Sequence, residues 1–301
     1  MVEGLGRIQV GLTAKAPPPT RRSFARLLLL LPSALWFAVF FLAPLLLVAI
    51  HSFGQVSLVT FDMRFGWTLQ NYRDIADSLY LHTLIRSLEL AIATTFLCAV
   101  IGFPLAYFVS RQPQRAQRVL LLLVIVPFWT SFVVRTYSLV YLLENGGPID
   151  SLARKFHLVT THLNFLYTPG SIGVGMVYSY LPLMILPIYV SLDRVDQSVL
   201  EAASDLGASG SSLFRRVVLP LAMPGLVAGM TLVGIAAVGE YVIPEILGGG
   251  KTLMLGNIVA DQFLNVGDYP FGSAIAVALL AVLAVALVLS SRARRATEVP
   301  A

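Results

Sequence analysis

The sequence predicts an all-α polytopic membrane protein with six transmembrane helices, on three observations. Of its 301 residues, 57% are apolar and only 12% are charged, about half the charged share of a soluble chain, and the mean hydropathy is +0.80. The apolar residues gather in runs long enough to cross a hydrocarbon core about 30 Å thick. The basic residues fall in short groups that flank those runs.

Taken in order, residues 1–26 are polar, contain Pro17, Pro18 and Pro19, and carry Arg7, Lys15, Arg21, Arg22 and Arg26. That composition predicts a disordered basic tail. The run at 27–50 is too long for the core of a signal peptide and is expected to be an uncleaved first span. A mixed loop follows to Leu81, with Phe53, Phe61, Phe65, Trp67 and Tyr72 suited to an interfacial aromatic belt. A second span is expected at 82–110 and a third at 118–143, joined by a short basic loop. The polar stretch 144–170 precedes a fourth span at 171–192. After a polar interruption at 193–224, a fifth is expected at about 222–247 and a sixth at 271–290. A basic tail, 291–301, ends the chain.

Orientation follows from the lysines and arginines. The side holding the amino terminus has five in the tail, three in 111–118, three in 194–216 and three beyond Ser290, against five on the other side: Arg64, Arg73, Arg154, Lys155 and Lys251. Such an excess marks the cytoplasmic side, so both termini and the 193–224 segment are expected there. The same rule accounts for the net charge of +5 without a nucleic-acid partner. Cys98 is the single cysteine and lies in an apolar run, which excludes a disulfide framework and a cysteine metal site. His157 and His162 are five apart in a polar loop, a poor ligand spacing, and are expected to be solvated.

The 193–224 segment contains a helix-turn-helix. Ser198 followed by Glu201 suggests a capping box, Gly207 suits a left-handed helix end, a second helix has starts at Ser209, Ser211 or Ser212, and Pro220 is expected to close the segment. Its apolar positions make a docking face. Gly248-Gly249-Gly250-Lys251-Thr252 imitates the end of a phosphate loop, but Glu245 stands where that loop needs its first glycine. The chain therefore shows no nucleotide engine of its own. It also lacks HExxH and GxSxG constellations.

Charges inside spans are costly and call for a reason. Arg86 and Glu89, three apart, are expected to neutralise each other. Arg135 and Glu240 each lie roughly 26 Å up a helix at 1.5 Å per residue, near the outer boundary. Pro104, Pro127, Pro182, Pro187 and Pro244 interrupt spans, and freed carbonyls at such breaks line pathways. Glu240, Tyr241, Trp129, Tyr137, Tyr178 and Tyr180 are the candidate lining of a pathway for a cationic solute, with Tyr189 a further aromatic on the fourth span; packing is the competing reading for each aromatic. Gly225, Gly229, Gly234 and Gly239 are expected to allow close helix packing.

The spacing Glu201-Ala202-Ala203, three residues, Gly207, nine residues, then Val217-Val218-Leu219-Pro220 resembles the EAA loop of ABC-importer permeases, with Val217 in place of isoleucine as the departure. Segments 126–143, 175–196, 239–249 and 269–277 are similar to those of the polyamine (spermidine/putrescine) permeases, and the likeness runs over roughly 27–290. This resemblance implies a type I ABC importer, with a MetI-like permease core over 82–290 and a coupling loop at 193–224. It implies a second permease subunit, expected to make a heterodimer, two cytoplasmic ATPase subunits that bind ATP and Mg, and an extracytoplasmic solute-binding protein, in a bacterial inner membrane. By the same resemblance Glu201, Ala202, Ala203, Gly207, Phe214, Arg215, Leu219 and Pro220 couple the chain to the ATPase, and no cofactor is bound by the chain itself. Related permeases carry phosphonates or iron complexes. A proton-coupled secondary transporter with Glu240 as proton carrier is the rival from another class, and a membrane enzyme a third.

Overall fold

The computed structural model of the chain describes residues 30–56, 63–64 and 66–297. The expected tail 1–26, Phe61, Phe65 and residues 298–301 lie outside them. The chain divides into two units at Leu47/Val48. Helix α1, Leu30–His51, has stacked rings at Trp36/Phe40 and Phe37/Phe41, with centroids 4.2 and 4.7 Å apart. One turn of it, Ala38–Leu42, widens so that Ala43 N–H reaches the Ala38 carbonyl. Pro44 follows directly and has no N–H to offer, and the wide turn carries the helix past it.

The second unit is helical apart from a two-stranded antiparallel hairpin, β1 (Gln55–Val56) and β2 (Met63–Arg64), in which Gln55 faces Arg64. Its helices are α2 (Gln70–Asp74), α3 (Ser78–Ser110), α4 (Gln114–Ile125), α5 (Phe132–Leu143), α6 (Pro148–Lys155) and α7 (Pro169–Asp193). They continue with α8 (Gln197–Asp205), α9 (Gly210–Val238), α10 (Val242–Gly248), α11 (Leu255–Asp261) and α12 (Tyr269–Thr297). Among the described residues five helices, α1, α3, α7, α9 and α12, are each long and apolar enough to cross a membrane, and a bent pair over 114–129 and 132–155 brings the number to six if it counts as one broken span.

That pair corrects the expected continuous span at 118–143. The helices meeting at Trp129 and Phe132 are inclined by 96°. Val126–Trp129 tightens into a 3-10 turn with Pro127 near its start, and Thr130 and Ser131 are extended. Proline removes a ladder bond and the tight turn exhausts its own geometry, so the rod breaks there. The expected fifth span is displaced towards the amino terminus: α9 starts at Gly210 and ends at Val238, and α10 starts afresh at Val242. Pro244 lies in the first turn of α10, where a missing N–H costs nothing.

Helix α7 is the axis of the core. Ile172, Met176, Met184, Ile185, Ile188 and Leu192 along it are essentially inaccessible, and their spacing wraps the helix so that α3, α9 and α10 all pack on it. A Cβ at Gly225 of α9 would stand 2.3 Å from the Pro187 carbonyl oxygen, and one at Gly229 would stand 2.8 Å from Met184 Sδ. These two glycines set the α7–α9 separation. Gly234 and Gly239 are not so constrained, their nearest neighbours being 3.6 and 3.9 Å away. Arg86 does not pair with Glu89: its Nη2 reaches to 3.5 Å from Thr252 Oγ1, while Glu89 is exposed. Arg154 Nη1 lies 3.9 Å from the Asp150 carboxylate.

Candidate functional site

The 193–224 segment folds as a helix, a turn and a second helix. Asp196, not Ser198, caps the first: its Oδ1 accepts from Ser198 N–H at 3.1 Å, so the cap falls two residues earlier than the expected box. The helix α8 ends as the sequence suggests. Gly207 N–H donates to the Ser204 carbonyl and Ala208 N–H to the Ala203 carbonyl, at 2.9 and 3.0 Å. This pair of bonds requires a left-handed residue between them, and Gly207 has φ of +88°. The next helix starts after Ser209, whose N–H donates to Ser212 Oγ at 3.2 Å.

Pro220 does not close the segment. The turn Phe214–Val218 is widened so that Leu219 N–H reaches the Phe214 carbonyl, the same device that precedes Pro44. The second helix of the segment therefore runs without interruption into the membrane as α9. Phe214 packs edge-on against Phe103 of α3, 5.4 Å between centroids, and Leu200 and Leu219 rest on the core. Val199, Ala202 and Leu206 lie on the other side of α8 at spacings of three and four and are exposed, Leu206 by 91%. Glu201, Arg215 and Pro220 are exposed as well, and Ala203 is half-buried. An apolar stripe is thus held away from the core on a capped helix.

The candidate pathway residues fall into separate places. Glu240, 7% exposed, stands between α9 and α10. Its Oε1 accepts from the N–H groups of Tyr241, Val242 and Ile243 at 3.1, 2.9 and 3.1 Å, and the Tyr180 phenol donates to Oε2. The carboxylate thus caps α10 and ties it to α7. Asn257 Nδ2 donates to the Tyr241 carbonyl and to Glu245 Oε2, at 3.0 and 2.8 Å, bracing the same break. Tyr178 lies instead near Arg135, whose guanidinium carbon is 4.6 Å from the Phe128 centroid, 5.6 Å from Phe132 and 6.0 Å from Tyr178. Arg135 is 8% exposed and donates to the Pro127 carbonyl at 3.3 Å, bracing the broken third span. Trp129 and Tyr137 are exposed on the described chain. Tyr189 donates to Gln117 Oε1 at 3.0 Å, a packing role between α7 and α4.

Sequence reasoning missed Asp150. On α6, beyond the end of the broken span, it is 1% exposed. It accepts from Leu163 N–H and Gly146 N–H, both at 2.9 Å, and its Oδ2 is 2.7 Å from His162 Nδ1. Those partners, led by the Leu163 amide, push its carboxyl down to about 2. His162 is thus tied to Asp150 and not simply solvated as expected. The signal was Gly146-Gly147-Pro148 with an acid two residues on, the start of a short helix. Among the described residues no group of three or more His, Cys, Asp and Glu side chains is placed to hold a metal.

Residues 99–297 match the family described as binding-protein-dependent transport system inner membrane component. The chain is 37% identical over 260 residues to the spermidine/putrescine transport system permease protein PotB of Escherichia coli (strain K12), covering 86% of this chain and 94% of that protein. It is 30% identical over 275 residues to the inner membrane ABC transporter permease protein YdcU of the same strain, covering 87% of each. Its fold is similar to a bacterial ABC transporter that imports the acidic polysaccharide alginate (TM-score 0.68, 15% identity, 93% of this chain and 98% of that one). It is also similar to the MetNI methionine ABC transporter in an inward-facing conformation (TM-score 0.53, 22% identity, 74% and 100%). With this fold, these spans and a family match over most of its length, the chain belongs to the binding-protein-dependent transport system inner membrane components.

Proposed function

We propose that the chain is the permease subunit of an ABC importer that passes a polyamine, spermidine or putrescine, across the bacterial inner membrane. The observation that carries this reading is the likeness to PotB over nearly the whole of both chains, together with a capped helix-turn-helix whose apolar stripe faces away from the core. In this reading a second permease subunit, a paralogue of this chain, completes the pathway. A solute-binding protein delivers the cargo, and two cytoplasmic ATPases bind ATP and Mg and dock on α8. Both termini lie in the cytoplasm, in keeping with the distribution of lysine and arginine.

Residues Glu201, Ala202, Ala203 and Gly207 form the contact and its turn, and Phe214, Arg215, Leu219 and Pro220 carry displacement of α8 into α9. Closure of the ATPases on ATP draws the docking helices together and rocks the spans between inward-facing and outward-facing states. Glu240, Tyr180 and Tyr241 at the break between α9 and α10, with Trp129, Tyr137 and Tyr178, line the route of the cation. The aromatic faces attract ammonium groups, and the Glu240 carboxylate supplies a negative charge beside Tyr180.

The test is uptake of labelled spermidine into proteoliposomes holding the permease pair and its ATPases, with the binding protein outside and ATP enclosed. Uptake that requires both ATP and the binding protein is expected. Uptake by this chain alone, driven by a proton gradient, would assign it to the secondary transporters. Competition by a phosphonate or an iron complex, and not by putrescine, would move the cargo.

A further inference from the structure

Helix α6, Pro148–Lys155, is inside out for a helix bathed in water. Asp150 lies on the side that faces the protein, buried and bonded as described, and the exposed Arg154 reaches back towards it, with Nη1 3.9 Å from its carboxylate. Ile149, Leu152 and Phe156, at spacings of three and four, line the opposite side and are exposed, Phe156 by 67%. Leu158, two residues on, is 77% exposed. The arrangement is not a loose end of chain. Asp150 holds Gly146 at one end and Leu163 at the other, Asn145 and Asn164 pair through their amides at 2.8 Å, and Tyr167 N–H donates to the Leu247 carbonyl of α10 at 3.0 Å. His157, Asn164 and Tyr167 all adopt positive φ, of 54, 46 and 62°, strain that such pinning sustains.

The same segment is basic, and Asp150 answers Arg154 and His162 but not Lys155 or His157. From Ser151 to Leu163 it carries Arg154, Lys155, His157 and His162 and no acid. Arg154, Lys155 and His157 line an open cavity of about 580 Å³ together with Ser151, Val159 and Thr160. The chain leaves the span at Leu143 and enters the next at Pro169, so α6 lies at the membrane boundary, at the end of α7 opposite α8. An outward apolar face of Phe, Leu and Ile flanked by lysine, arginine and histidine is the composition of a helix lying in the headgroup region. Anionic headgroups complement the basic cavity.

We propose that α6 and residues 156–158 form an interfacial anchor that docks on anionic phospholipid, with Ile149, Leu152, Phe156 and Leu158 in the acyl boundary and a headgroup phosphate in the cavity beside Lys155 and His157. The anchor holds the loop between the third and fourth spans against the bilayer, and through Tyr167 and α10 it steadies the break at Glu240. It stands independently of the cargo assignment.

The test uses the full chain reconstituted in vesicles, labelled with a nitroxide at Leu158→Cys. The parent chain, whose one thiol, Cys98, is fully buried, is the blank. In vesicles of equal parts phosphatidylcholine and phosphatidylglycerol, the label at 158 is expected to collide several-fold more often with membrane-dissolved oxygen than with a water-soluble nickel chelate. That preference at 158 is expected to shrink in phosphatidylcholine alone and to vanish with Lys155→Glu. A label equally open to the nickel chelate in both vesicles overturns the proposal. So does lipid contact that is the same in both vesicles and indifferent to Lys155→Glu. Shielding of position 158 that appears only on adding the solute-binding protein assigns the face to a protein partner and likewise overturns it.

Discussion

Glu240 spends one carboxylate on three backbone N–H groups and one phenol, and the balance between these tasks and its charge is measurable. An alanine there leaves the first turn of α10 uncapped and the buried Tyr180 hydroxyl without its acceptor. Glu240→Ala is therefore expected to cost about 2–4 kcal/mol of stability. Glu240→Gln keeps an oxygen for the three N–H groups and offers its amide to the phenol, so its cost is expected to stay near ~1 kcal/mol. Thermal unfolding in detergent separates the two, and equal losses would contradict the capping role. Spermidine uptake reads the charge: if the anion attracts the cation along the pathway, Gln loses uptake nearly as fully as Ala despite its better stability. Full uptake by the Gln variant would remove Glu240 from the pathway.

At the scale of elements, the loop around α6 is organised by a single ionised group. Asp150 is held down from 3.8 to about 2 by the Leu163 amide, His162 and the Gly146 amide. A carboxyl depressed on folding contributes stability that is fully present above its unfolded value and is lost as pH falls through its folded value. Protease protection of residues 156–168 is thus expected to hold from neutral pH to about 4 and to fall between about 4 and 2. In Asp150→Asn it should be reduced at every pH. Protection that is indifferent to pH from 7 down to about 2 would contradict the role of Asp150. Pro127 marked in advance where the third span breaks, but neither the 96° angle of that break nor the role of Asp150 was legible. Apolar runs such as 171–192 and the EAA spacing at 201–220 are local patterns, and the helices they announce are present. Asp150 acquires its role from Leu163 and His162, more than ten residues away, and Glu240 from Tyr180 on another span. Arg86 was matched to its nearest neighbour in sequence, Glu89, whereas its contact is Thr252, across the fold.

For the whole molecule, the proposed function makes the widened turn at Phe214–Val218 decide how displacement travels. Because the helix passes Pro220 unbroken, α9 is one rod of 29 residues, about 43 Å long at 1.5 Å per residue. One end lies at the docking helix and the other at the break held by Glu240 and Tyr180. No flexible joint lies between them except Gly207 to Ser209, where α8 meets the rod. The angle between lever and rod depends on one residue in the left-handed region, Gly207, with nothing near its Cβ position. A side chain there meets strain without collision. Gly207→Val, β-branched, is expected to pay about 1–3 kcal/mol of backbone strain or to change that angle. Gly207→Asn, which tolerates left-handed backbone, is expected to stay close to the parent. Leu206 and the apolar stripe of α8 are intact in both, so both variants should still assemble with the ATPases. Basal ATP hydrolysis is expected to persist in both, while Val alone loses most of the ATP-driven uptake. If Val and Asn import equally well, the turn is not the joint through which the motor acts, and the rod is moved by contacts along Arg215 and Arg216 instead.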